Sequence, residues 1–406
     1  MPQVKPEMET FAKIKVVGIG GSGGAAVNRM LSAKIRGVEF VVMNTDVQAL
    51  HHSSAPNKLH IGKGITRGLG AGMDPEVGRK AAEESQNEIR DLLKDTDMVF
   101  ITCGLGGGTG SGASPVVAEV ARDLGALTVA VVTKPFSFEG PQRRDIAENA
   151  WEELARNVDT IITIPNDRVL QVIDKKTSLL TAFQTIDDIL RQGVQGISEL
   201  ITVPGMVNVD FADVRTIMRN TGSALMGIGM GKGENRAVTA AQAAISSPLL
   251  ELSIDGAHGI LFTITGSSGI TMSEVDEAAK IITSSAADDA KVIWGMAVDE
   301  SMEDNLRINV IATGFDSHRP TPVLTAEENA TSFFSAAKYA PSNFLRRTQK
   351  EEAEEEKKFK QFTQKNITDT DTPAHDLAKR HDVVTAASKA DDDLEIPAFI
   401  RKKMGI

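Results

Sequence analysis

Between Lys13 and Ile164 short apolar runs alternate with longer segments of mixed polarity. The runs are KIKVVGI, VEFVVMN, MVFITCG, LTVAVVT and TIITIP, each rich in Val and Ile and apolar at nearly every position. Unbroken runs of this kind predict strands buried on both faces, which means a parallel sheet covered by helices. The segments between them, such as Asp74 to Lys94 and Ser114 to Leu124, carry helical periodicity. Repeated strand–helix units predict an α/β fold with a doubly wound parallel sheet. A long helix is predicted over Leu179 to Leu200, where Phe183, Ile186, Ile189 and Leu190 recur three or four apart. From Ala224 to Phe315 three more apolar runs, GILFTIT, KVIWGMAV and RINVIATGF, predict a second, smaller α/β domain, with the helix SEVDEAAKIITS between the first two. Beyond Asp316 the apolar runs stop and Pro, Ser, Thr, Lys and Glu dominate. Such a segment buries too little apolar surface to offset the entropy of ordering, so a disordered tail is expected.

Charge and composition remove several classes. The chain has 406 residues and a net charge of -11. A duplex-binding protein must neutralise phosphates, so this balance argues against nucleic acid as a partner, and equally against a basic membrane-surface protein. The single cysteine, Cys103, excludes an intrachain disulfide and follows an apolar run, which predicts a buried, inert thiol. The N-terminal MPQVKPEMETFAK lacks an apolar signal core, and no run approaches the ~18 apolar residues of a membrane span. A cytoplasmic protein without direct membrane insertion is expected.

Two glycine clusters carry the candidate chemistry. Gly18-Ile-Gly-Gly-Ser-Gly23 follows a predicted strand, opens a helix and meets the G-x-G-x-x-G spacing at Gly18, Gly20 and Gly23. Glycines there let backbone N–H groups approach a phosphate at a helix N-terminus. Alone the motif suits a mononucleotide, a dinucleotide or a ligand-free tight turn, and no G-x-x-x-x-G-K-[ST] accompanies it. The second cluster, Gly106-Gly-Gly-Thr-Gly-Ser-Gly112, sits between MVFITCG and the helix PVVAEVARDL. Two such loops at neighbouring strand ends would grip a triphosphate from two sides, with Thr109 and Ser111 adding hydroxyl donors. A NAD-dependent Rossmann-type dehydrogenase is the alternative. It would use Asp46, 28 positions past Gly18, for the ribose but leaves the second loop without a role. A third feature, Asn208-x-Asp210-x-x-Asp213, reads from spacing as a helix cap followed by an acidic first turn.

GGGTGSG resembles the signature loop of the tubulin superfamily, in a form similar to that of FtsZ, the bacterial tubulin-like cell-division GTPase family. The resemblance continues in order through NTD (Asn44 to Asp46), GLGAGMDPEVG, TKPFSFEG, IPNDR, VQGISELI, NVDFADVR, SALMGIG, GENRA and the terminal LEIPAFIRKK. It implies a protein that binds GTP or GDP with Mg²⁺, hydrolyses GTP and polymerises head-to-tail into filaments. Those filaments would form the division ring at midcell, beneath the inner membrane. In site residues it implies a first nucleotide loop of Gly20, Gly21, Ser22, Gly23, Gly24 and Ala25, contacts from Asn44 and Asp46, and a γ-phosphate-sensing loop at Ala71 and Gly72. Gly107, Gly108, Thr109 and Gly110 would cradle the phosphates, and Glu139, Arg143 and Asn166 would lie near the ribose. Phe183 would stack on guanine and Asp187 would accept from its N1–H and amino group, a role suited to an acceptor-only carboxylate. Asn208, Asp210 and Asp213 would enter the pocket of the next subunit and orient the attacking water, with no dedicated protein ligands for the metal. Two positions depart from the pattern: Ala25 stands where the family usually has Asn, and Ser22 where it often has Gly.

The expected organisation is an N-terminal extension at 1–12, a nucleotide-binding domain at 13–178 and a central helix with the catalytic loop at 179–223. A C-terminal α/β domain at 224–316, a disordered linker at 317–390 and a terminal peptide at 391–406 follow. Within that peptide, Phe399 and Ile400 fall three and four positions after Ile396, so one helical turn groups them for docking in a groove. The resemblance implies that the peptide, with Leu394, Ile396, Pro397, Phe399 and Ile400 as contacts, binds membrane-tethered and regulatory division proteins.

Overall fold

The computed structural model describes residues 12–174, 176–202, 207, 209–247 and 254–315. The chain order begins β1 (Ile14–Ile19), α1 (Gly20–Ser32), β2 (Val38–Asn44), α2 (Val47–His52), β3 (Asn57–His60) and α3 (Lys63–Thr66). It continues with α4 (Pro75–Glu84), α5 (Gln86–Leu93), β4 (Met98–Gly104), α6 (Gly108–Asp123), β5 (Leu127–Lys134), α7 (Pro141–Asn157), β6 (Thr160–Pro165) and α8 (Asn166–Val172). The long α9 (Leu179–Thr202) leads to α10 (Phe211–Met218), β7 (Gly222–Lys232), α11 (Arg236–Ile245), β8 (Ala257–Gly266), α12 (Met272–Thr283), β9 (Ala286–Val298) and β10 (Asn305–Thr313).

These strands form one sheet in the order β3-β2-β1-β4-β5-β6-β7-β10-β8-β9. Pairing is parallel from β3 through β7; β10 runs antiparallel to both β7 and β8, and β9 is parallel to β8. Strand order reverses between β1 and β4, the switch point at which open α/β sheets bind ligands beyond the carboxyl ends of their strands. The doubly wound expectation therefore holds for the first part of the chain, and its apolar runs are buried on both faces as read. Side chains alternate between the faces. Val16, Phe40, Val42, Phe100, Val129 and Val131 pack with Ile186, Leu190, Val194 and Ile197 of α9. Val17, Ile19, Val41, Ile101 and Val132 pack on the opposite face with Ala81, Ile89, Val117 and Leu154.

α9 is the strut of the molecule. Its first turns lie beside the carboxyl end of β5, where Phe183 meets Phe136 edge-on at 5.7 Å between ring centroids. Its last residue, Thr202, donates to the carbonyl of Arg36 at 3.5 Å, just before β2 begins. Twenty-four residues at the helical rise span roughly 36 Å, enough to cross the sheet from end to end. α10 follows at the amino ends of the strands: Thr160 at the start of β6 donates to the carbonyl of Met218, and Arg215 donates to the carbonyl of Gly125 ahead of β5.

Sequence pattern missed two strands. β3 has only four residues. β7 contains Gly227, Gly229 and Gly231 at alternate positions, which erased its apolar signature. These glycines exist for packing. A Cβ on Gly227, Gly229 or Gly231 would meet the carbonyl oxygens of Ala244, Ala240 and Arg236 at 2.0, 1.9 and 1.9 Å. α11 therefore lies with its backbone directly against the strand, and its buried side chains are Ala237, Ala240, Ala241 and Ala244.

Gly229→Ala should cost about 1–3 kcal/mol through overpacking, measured as a lower urea midpoint at unchanged slope. A variant as stable as the wild type would mean that α11 is free to shift.

Candidate functional site

The two glycine clusters come together at the carboxyl ends of β1 and β4. Each runs from a strand end into the first turn of a helix, because α1 begins at Gly20 and α6 at Gly108. Their unpaired N–H groups therefore point out of two helix N-termini that converge at the sheet's switch point. The clusters touch backbone to backbone: a Cβ on Gly20, whose φ is +75°, would lie 3.1 Å from the amide nitrogen of Gly110. Space opens outward, since Cβ atoms built on Gly21, Gly72 and Gly107 would meet no protein atom within 4 Å. The result is a concave, amide-lined cradle with room for an anion.

The loop containing Ala71 and Gly72 closes one side. A Cβ on Gly108 would lie 2.9 Å from the Cβ of Ala71 and 2.8 Å from the amide nitrogen of Asp74. Asp74 N-caps α4 through Glu76 N–H at 2.9 Å, with Pro75 at the first helical position. Asn44 accepts from Asp46 N–H at 3.2 Å, and the Asp46 carboxylate caps α2 through Gln48 and Ala49 N–H groups. Asp46 is thus engaged in capping. Ser22 accepts from Gly104 N–H at 2.8 Å and ties the first cluster to β4. Ser111 differs from expectation: its buried hydroxyl accepts from Gly106 N–H at 2.9 Å, bracing the turn rather than facing the cradle. Gly23 and Gly24 are buried in α1, whereas Ala25 is exposed and adds no polar group. Two residues beside the cradle escaped the sequence reading: Thr45, whose hydroxyl lies 2.6 Å from that of Thr109, and Thr66, which donates to the Thr45 carbonyl at 3.2 Å.

The other predicted contacts gather at the neighbouring ends of β5, β6 and α9. Glu139 accepts from Phe136 N–H at 2.9 Å and forms an ion pair with Arg143. Asn166 opens α8, and its buried Oδ1 has no hydrogen-bond partner within the protein, an acceptor left for a ligand. Phe183 is exposed against the edge of Phe136, with a face for stacking. One helical turn on, burial pushes the Asp187 carboxyl up to about 6, against the pull of the Arg29 guanidinium on α1. Asp188 beside it is also disfavoured by burial, yet hydrogen bonds from Arg191 and Gln192 hold it below the usual carboxylate range. Arg29 is a further residue the motifs did not reveal, since only tertiary packing brings α1 to α9. Cys103 lies beneath the cradle, its thiol pushed up to about 12 by burial, as the reading of an inert thiol requires.

Asp210 and Asp213 do not join this group. Asp210 N-caps α10 through Ala212 N–H at 3.2 Å, and Asp213 occupies its first turn; both are exposed. They follow the far end of α9, at the amino ends of the strands. The eight residues of β5 alone separate those ends from the cradle by roughly 26 Å. Asn208 and the terminal contacts Leu394, Ile396, Pro397, Phe399 and Ile400 lie outside the described residues, as does the expected disordered tail. Among the described residues no group of three or more His, Cys, Asp or Glu side chains could hold a metal, and no helix is long and apolar enough to cross a membrane.

Comparison with known proteins agrees with this geometry. Residues 13–174 match the Tubulin/FtsZ family, GTPase domain, and residues 222–316 match the FtsZ family, C-terminal domain. The structure is similar to an FtsZ dimer from M. jannaschii, with 45% identity and a TM-score of 0.73 over 76% of this chain and 89% of that one. It also shares its fold with a GTPγS-bound CetZ2 protofilament from Haloferax volcanii, at 22% identity and a TM-score of 0.65 over 76% of this chain and 95% of that one. The dehydrogenase alternative is not favoured by any of these matches. With one family description covering the cradle-bearing part and another residues 222–316, the chain belongs to the FtsZ family of tubulin-like GTPases.

Proposed function

We propose that this protein binds GTP at the double glycine cradle and hydrolyses it only when a second copy supplies Asp210 and Asp213, so that turnover depends on head-to-tail filament assembly. The observation that carries the reading is the position of the acidic pair, at the opposite end of the sheet from the cradle, with α9 running between the two ends. A rigid α9 keeps the two halves of one chain apart, whereas stacking two copies brings one copy's acidic end onto the next copy's cradle. The cradle face also exposes apolar side chains that such stacking would cover: Val47, Ile65, Leu69 and Met73, with Leu69 88% exposed.

The roles follow from chemistry. Amide N–H groups of Gly20, Gly21, Gly107, Gly108 and Gly110 bind phosphate oxygens, Asn166 and the Glu139–Arg143 pair hold the ribose, and Phe183 with Asp187 takes the guanine. Asp210 is engaged by its cap, whereas Asp213 accepts no side-chain hydrogen bond among the described residues; together they orient a water in line with the terminal phosphate. Mg²⁺ would neutralise charge on the phosphates. The assembled filaments form the division ring at midcell, on the cytoplasmic side of the inner membrane. There the peptide 391–406 recruits membrane-tethered and regulatory division proteins, tethered by the linker so that many weak contacts add by avidity.

Hydrolysis per molecule should rise with protein concentration, and Asp213→Ala should bind GTP but turn over at least ~100-fold more slowly. Mixing it with Gly107→Leu, which fills the cradle, should recover part of the rate, because one subunit then supplies the pocket and the other the carboxylates. Dilute monomer hydrolysing at the full rate would overturn the shared site.

Asp187 generates a pH test with opposite signs for binding and stability. Guanine recognition takes the ionised carboxylate, so preference for GTP over ATP should be full above pH 7 and fall as pH drops through about 6. In the nucleotide-free protein the raised value means that the folded state holds this proton more tightly than the unfolded chain. That contribution to stability is present at pH 4 and lost as pH rises through about 6. Asp187→Asn should therefore abolish the GTP preference and raise the melting temperature of the nucleotide-free protein at pH 7.5. A pH-independent preference would remove Asp187 from the base site.

A further inference from the structure

We infer that Thr45 is a positioning residue that commits the Thr109 hydroxyl to donate its proton into the phosphate cradle; this rests on the reading of the cradle as a GTP site. The two hydroxyl oxygens lie 2.6 Å apart, so a single proton sits between them. Their surroundings decide which residue gives it. Thr45 is fully buried, and among the described residues its hydroxyl has Thr109 as its only hydrogen-bond partner. Had Thr109 donated, the Thr45 proton would be buried with no acceptor, which carries the full desolvation penalty. Thr45 therefore donates and Thr109 accepts.

The consequence falls on the site. Thr109 is half-buried, and its Cβ lies 3.5 Å from where a Cβ on Gly20 would be, at the meeting of the two clusters. With its oxygen already accepting, its own proton turns to the open side, where only solvent or an anion can take it. Accepting a bond also polarises the hydroxyl and makes it a stronger donor. Thr45 is itself held from behind, because Thr66 donates to its carbonyl at 3.2 Å and also to the Gly62 carbonyl at 3.1 Å. Thr66 begins the stretch that leads to Ala71 and Gly72. A line of three threonines thus connects the stretch leading to Ala71 and Gly72 with Thr109 in the signature cluster, through the fully buried Thr45.

A double-mutant cycle on GTP affinity tests this. Thr45→Val keeps the shape and removes the hydroxyl, and it should weaken GTP binding roughly fivefold to tenfold. In a Thr109→Val background the same change should cost less than about twofold, because Thr45 has then lost the group through which it acts. Thr45→Ser should bind within about twofold of the wild type by retaining the hydroxyl. Equal losses in both backgrounds, or no loss in either, would overturn the proposal. So would unfolding of both Thr45→Val and Thr45→Ala, since the hydroxyl would then be a structural tie. A wild-type protein that fails to bind GTP would instead defeat the reading of the cradle, and so is distinguishable from an additive cycle.

Discussion

Everything at the site depends on backbone meeting backbone where two helix N-termini converge. A Cβ on Gly20 would press on the Gly110 amide nitrogen at 3.1 Å, and one on Gly110 would press on the Gly104 carbonyl oxygen at 2.9 Å, so neither position has room for a side chain. Two sets of unsatisfied N–H groups are thereby held against each other, a position that is unfavourable without an anion and strongly attractive to one. The same economy of side chains recurs where α4 meets α6, with a Cβ on Gly112 only 1.9 Å from the Pro75 carbonyl. Glycine abundance here is therefore a packing requirement at the sites of function and not a sign of flexibility.

The second consequence of the architecture is separation. A parallel sheet gathers its phosphate-binding turns at one end by construction, since each strand delivers its following helix there. A helix that returns antiparallel to the strands must deliver whatever follows it to the other end. α9 does this over twenty-four residues, and its apolar face, packed against β1, β4 and β5, leaves it no freedom to bend back. Asp210 and Asp213, reached after such a helix, therefore lie at the end of the sheet away from the cradle.

Polar groups near the cradle follow a consistent division of labour. Ser22, Ser111, Asp46 and Asp74 all spend their side chains on the protein's own backbone, bracing turns and capping helices. Asn166 keeps a buried acceptor unsatisfied, and Asp187 bears a carboxyl that burial makes reluctant to ionise. Each is a buried polar group that a donor from outside the chain would stabilise.

The chain by itself determined the parallel sheet, because five apolar runs without alternation admit little else, and the two glycine clusters, because few other structures require them at strand ends. It also determined the amphipathic length of α9. It hid β7, where glycines demanded by α11 removed the apolar signature, and it showed Asp210 and Asp213 only as an ordinary helix start. The tertiary structure decided what spacing cannot express: that the acidic pair and the cradle lie at opposite ends of one sheet, that Arg29 faces Asp187 across two helices, and that Thr45 reaches Thr109. Each of these relations joins residues far apart in sequence, with no local periodicity between them, and so comes into being only when the strands have paired and the helices have packed.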